Sequence, residues 1–257
     1  MIERDRTRTG VGVMILLLSS IAWILILAKP LKGICVCYCS VADSGSFSAS
    51  FWNLLAKNLN FPLALGWALM IVAMMLPTLV APILHIMECS FKRRRIRSVL
   101  LFVAGYGIIW MAAGGVLFAV RLMLALVAPS PYWPAVMVGL VAFVWQCSPA
   151  KQLCLNRNHN HRELAAFGSA ADRDVFSFGL THGIWCVGSG WALMLFPMLL
   201  TQGHNLVMFA ITFLMISERL NQPDSLRWRL RGPGKLIRIL VARARMGSGF
   251  SPFVSTS

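Results

Sequence analysis

A chain of 257 residues that is 58% hydrophobic and only 13% charged, with a mean hydropathy of +0.70, lies outside the range of water-soluble domains. The formal net charge is +15, but the basic residues sit between and after the apolar runs and cover no single folded face. Their counter-charge is therefore anionic lipid headgroups, and nucleic acid is not expected as a partner.

The apolar runs are continuous rather than alternating. Because lipid offers backbone groups no hydrogen-bond partners, this pattern predicts helices and not a barrel, so the fold class is an all-α polytopic membrane protein.

In chain order, the first run is Val11 to Leu27, behind Arg4, Arg6 and Arg8. Its apolar core exceeds that of a signal peptide, about 7 to 15 residues, and no small-x-small cleavage site follows, so it reads as a retained span. A polar stretch from Lys29 to Asn60 leads to a second run, Leu63 to Ile86, interrupted by Pro77 and Pro82. Prolines free carbonyls in the preceding turn, which predicts a kinked span packed against neighbours that satisfy them. The third run is Val99 to Val127, the fourth starts near Trp133 and continues past Trp145, the fifth is Val175 to Leu200, and the sixth is Leu206 to Ile216. The sixth reaches the roughly 20 residues of a span only by extending from Gln202 to Leu220, which would set Glu218 at the interface.

Assigning the connecting segments to alternate sides, with Arg121 near the end of the third run counted in the segment after it, places 20 Lys and Arg on one side and 4 on the other. The positive-inside rule then gives a six-helix transmembrane bundle with both termini cytoplasmic, or five spans if the first is cleaved. The expected organisation is a first span and external loop (1–62), a five-span membrane domain (63–220) and a basic tail (221–257). The tail reads equally as a membrane-surface segment or a solvated one.

Chemistry is sought in the polar and sulfur-bearing residues within the spans. On the fifth span, His182 and Cys186 are four apart, with Gly190 and Met194 continuing the stripe. Imidazole, thiol and thioether along one helix face suit a soft metal, while a buried His beside a small apolar Cys is the plainer reading. Met70 and Met74 on the second span share a face in the same way and are equally explained by packing. Cys147 and Cys154 are seven apart, so on a regular helix about 10 Å separates them and they cannot share one ion. His159 and His161 follow in a polar loop. Cys35, Cys37 and Cys39 alternate on the external side, either a soft-metal capture site or disulfide-forming thiols. His85, Met87 and Cys89 add donors at the inner end of the second span. Common enzyme signatures are missing from the sequence, and the chain is not expected to be an enzyme.

Four ordered motifs, WALMIVAMMLP (Trp67 to Pro77), GYGIIW (Gly105 to Trp110), WQCSPAKQLCL (Trp145 to Leu155) and HGIWCVGSGWALM (His182 to Met194), together resemble the bacterial predicted metal-binding integral membrane proteins. Members of that family are sometimes labelled copper chaperones. The resemblance implies a bacterial inner-membrane protein that binds a soft metal, Cu(I) in the first instance, for handling or delivery to an acceptor protein. It departs from the family's CxGCCW-like cluster by keeping only Cys186 and Trp191, with Ser189 and Gly190 at two cysteine positions. The expected ligands are Cys186, His182 and Met70 or Met74, then Cys154 and Cys147. The alternative is a structural subunit of an oxidase or other metalloenzyme complex that binds no metal.

Overall fold

A computed structural model describes residues 2–28, 61–127, 132–159, 168–200, 202–221 and 223–230, with the short pieces 164–165, 234, 237–238 and 241–242. Cys35, Cys37, Cys39 and His161 lie outside the described residues.

Among those residues the chain is all-α: α1 (Ile2–Ala28), α2 (Phe61–Met75), a 3-10 turn (Leu76–Leu79), α3 (Val80–Cys89), α4 (Arg95–Val127), α5 (Tyr132–Cys147), α6 (Pro149–Asn158), α7 (Gly168–Met198) and α8 (His204–Arg219). Three stretches are long and apolar enough to cross a membrane, Thr9–Ala28, Leu63–Cys89 and Arg95–Val127. A fourth is added if α5 and α6, bent by 63°, count as one.

The break after Met75 follows from Pro77, which lacks the N–H that would bond the carbonyl of Ala73. Ser19 on α1 supplies the missing donor, its hydroxyl reaching Ala73 O at 2.7 Å, and Thr78 Oγ1 donates to Met75 O at 2.7 Å. A sequence-visible proline is thus matched by a serine 54 residues before the carbonyl it frees, and the pairing ties α1 to α2.

The centre of the fold is the crossing of α4 and α7, which run in the same direction. Gly179 meets the backbone of Phe102, and Gly105 meets that of Phe176, so closely that a Cβ on either would collide with the facing carbonyl oxygen. Glycine at both positions is what lets the two backbones touch. Gly114 likewise admits the Trp67 indole, whose N–H donates to Trp110 O at 2.9 Å and joins α2 to α4. Antiparallel to α7, α8 packs Met215 against Gly190.

Two expectations are corrected here. The fourth run is not one regular helix: Ser148 accepts from Lys151 N at 3.2 Å as an N-cap, Pro149 follows, and α6 starts in a new direction. Cys147 and Cys154 therefore sit on different helices and share no face. The sixth helix has 16 residues, short of the extended span, and its Glu218 is buried among protein side chains.

Candidate metal centre

Cys186 is fully enclosed on α7, and His182 one turn earlier is 4% exposed, so the stripe read from their spacing faces inward. The sulfur of Cys186 is held from two sides. Arg219, in the last turn of α8, brings Nη2 within 3.0 Å, and Tyr106 on α4 places its hydroxyl at 3.3 Å. Around His182 the rings of Phe102, Tyr106 and Phe178 lie at centroid distances of 5.8, 6.0 and 5.9 Å. The result is one thiol and one imidazole walled by aromatic side chains, with a guanidinium at the sulfur.

Met70 and Met74 are buried in the same continuous core as Cys186, together with Met194, Met208 and Met215. Met215 packs against α7, its Cε 2.7 Å from where a Cβ on Gly190 would stand. Cys154, half-buried on α6, lies against the other face of the same segment, its sulfur 2.9 Å from the corresponding position on Gly188. Trp145 seals that contact by donating to Gly188 O at 3.2 Å. Cys147 is half-buried at the end of α5, where its backbone carbonyl accepts from Arg229 N at 3.1 Å. Both ring nitrogens of His159 face backbone carbonyls, Leu155 O at 2.9 Å and Arg219 O at 3.2 Å, which commits that ring to joining α6 to α8.

Among the described residues no three His, Cys, Asp or Glu side chains converge as a shared metal would need. Cys186 and His182, one turn apart on the inward face of α7, offer two soft donors, a set that suits an ion of low coordination number better than tetrahedral zinc, which takes four ligands.

Beside this centre lies a buried ion pair that sequence reading did not find. Lys151 on α6 and Glu218 on α8 have side chains 0% and 3% exposed, and Lys151 Nζ lies 2.9 Å from the carboxylate. Gln146 completes the group, accepting from Nζ at 2.5 Å and donating to the Glu218 carboxylate. Adjacent residues of one turn, Glu218 and Arg219, thus fasten α8 to α6 and to Cys186. A cavity of about 830 Å³, lined by Glu218, His159 and the strap 223–230, opens on this turn.

A family model described as PpoB2, copper chaperone, matches residues 64–239, which includes every residue of this centre. No curated protein and no solved structure matches the chain.

Proposed function

The chain belongs to the copper chaperone family, and from that membership we propose that it is an integral membrane protein that holds Cu(I) as cargo and passes it to an acceptor protein without turnover. The observation that supports this most directly is the enclosed Cys186–His182 pair inside the matched region. A buried thiol and imidazole offer soft donors, and the aromatic wall excludes water that would promote oxidation of the ion.

Six spans are proposed, formed by α1, α2 with α3, α4, α5 with α6, α7 and α8, in a bacterial inner membrane with both termini cytoplasmic. The parallel course of α4 and α7 and the antiparallel course of α7 and α8 agree with that order, and the basic loops and tail would face anionic headgroups. In this reading Met70 or Met74 is an auxiliary thioether, and Cys154 and Cys147 are further stations.

One observation favours a second reading. The sulfur of Cys186 already has Arg219 and Tyr106 against it, an arrangement that also suits a purely structural cysteine in a membrane subunit of a larger metalloenzyme complex. Elemental analysis decides between them. The chaperone reading expects about one copper per chain in protein purified anaerobically with reductant, lost in a Cys186→Ser/His182→Ala variant. No copper in either, with a larger complex co-purifying, would overturn it in favour of the subunit.

A further inference from the structure

The spacing that singles out His182 and Cys186 occurs a second time. On α3, His85 and Cys89 are also four apart, and the Cys89 sulfur lies 4.0 Å from Nδ1 and 3.8 Å from Nε2 of His85. A metal bound by both groups, with bonds of about 2.3 Å to sulfur and 2.0 Å to nitrogen, would hold these atoms about 3.5 Å apart in a tetrahedral arrangement and about 4.3 Å apart in a linear one. The observed separations fall between the two, so the pair has the reach to chelate once the imidazole turns to aim one nitrogen at the shared ion.

The two pairs differ in access. Cys89 is exposed at the end of α3, whereas Cys186 is fully buried. One buried side chain neighbours both imidazoles: the Phe178 ring is 6.3 Å from His85 and 5.9 Å from His182, centroid to centroid. Around the exposed pair the charge is mixed. Glu88 is its immediate neighbour, and among the arginines that follow, Arg94 and Arg97 are both drawn to Asp172 at 2.6 Å.

We propose that His85 and Cys89 form an outer site for a soft monovalent ion, Cu(I) in the first instance, and that this site loads the Cys186–His182 pair past Phe178. Loading moves the ion without change of oxidation state: the bonds to the Cys89 sulfur and the His85 nitrogen break, the ion passes Phe178, and bonds to Cys186 and His182 then form. The loading step rests on the copper reading of the buried pair, whereas binding at the outer pair does not.

The test uses the purified full chain in detergent, anaerobic and reduced, with alkylation of Cys89 by N-ethylmaleimide followed by peptide mass spectrometry. Two equivalents of Cu(I) should slow alkylation at least tenfold in the parent, one equivalent should do so in the His182→Ala/Cys186→Ser variant, where the buried pair no longer competes, and His85→Ala or His85→Gln should abolish the protection. Copper that binds the chain by elemental analysis yet leaves Cys89 alkylation unchanged would overturn the outer site and leave the buried one standing. Protection that survives both His85 variants would overturn the pair. Protection accompanied by a copper content indifferent to the Cys186→Ser/His182→Ala change would support the outer site and overturn the buried one. For the loading step, His85→Ala should slow at least tenfold the rate at which copper becomes resistant to a water-soluble chelator, and an unchanged rate would overturn it.

Discussion

Arg219 places a guanidinium nitrogen 3.0 Å from the sulfur of Cys186, across the interface between α8 and α7. A cation already at the sulfur opposes the arrival of another. At an effective dielectric constant of about 20, two unit charges about 4 Å apart repel by about 4 kcal/mol, so Cu(I) must displace the arginine to bind well. Arg219→Gln, which keeps a hydrogen-bond donor and removes the charge, should raise Cu(I) affinity at least tenfold in competition with a chromophoric chelator. Weaker binding would mean that Arg219 positions the sulfur for the metal instead of competing with it.

The α4–α7 crossing predicts a contrast between glycines. In Gly179→Ala the new Cβ meets a backbone carbonyl that cannot step aside, and the helices must separate, at about 1–3 kcal/mol. Gly107→Ala on the same helix pair meets nothing within 4 Å and should be neutral or slightly stabilising. Thermal unfolding of the two variants in one detergent measures the difference, and equal melting temperatures would contradict the close approach.

Ser19 is expected to matter out of proportion to its size. Ser19→Ala removes the donor to the Ala73 carbonyl that Pro77 leaves unbonded, and a buried unsatisfied carbonyl costs about 1–3 kcal/mol. Pro77→Ala restores an intrahelical donor, so the double variant should recover most of the loss. Additive losses in that cycle would show that Ser19 and Pro77 do not act on the same carbonyl.

What the sequence disclosed was governed by how locally each feature is encoded. The first three apolar runs appear as helices close to their read boundaries because hydrophobicity alone specifies them. The break between α5 and α6 was written in Ser148–Pro149, a helix-start signal masked by the apolar run leading into it. The shared face of His182 and Cys186 follows from a spacing of four, and the same spacing is visible at His85 and Cys89. Lys151 with Glu218 and Arg219 with Cys186 join residues 67 and 33 positions apart. No local pattern announces such pairings, and they had to come from the packing of α8.

On the strap that follows α8, the Asp224 carboxyl lies below the usual carboxylate range, chiefly because it accepts from Ser225 N at 2.7 Å, with Arg229 adding at 3.1 Å. A depressed pKa in the folded state means that its contribution is present above the ordinary Asp value of about 3.9 and is lost as pH falls through the lower folded value. Amide hydrogen exchange of residues 223–230, corrected for intrinsic rates, should therefore show constant protection from pH 7 to 5 and loss only in stronger acid. Asp224→Asn should remove that acid transition, and an undiminished transition in the variant would assign it to another group.

The buried pair of Lys151 and Glu218 makes the sharpest stability prediction. Both charges are out of water, with Gln146 as their third partner, so each depends on the other for compensation. Glu218→Gln leaves an uncompensated ammonium, and Lys151→Met an uncompensated carboxylate, each expected to destabilise by about 3–5 kcal/mol. The double variant, Lys151→Met with Glu218→Met, removes both desolvation penalties and should lose much less than either single change. Because Arg219 is the next residue, loosening α8 in the single variants should also withdraw the guanidinium from Cys186, exposing that thiol to alkylation. Unfolding midpoints and Cys186 labelling, measured on the same three proteins, must therefore move together. A single variant that melts early while Cys186 stays protected would show that the two fastenings of α8 are independent.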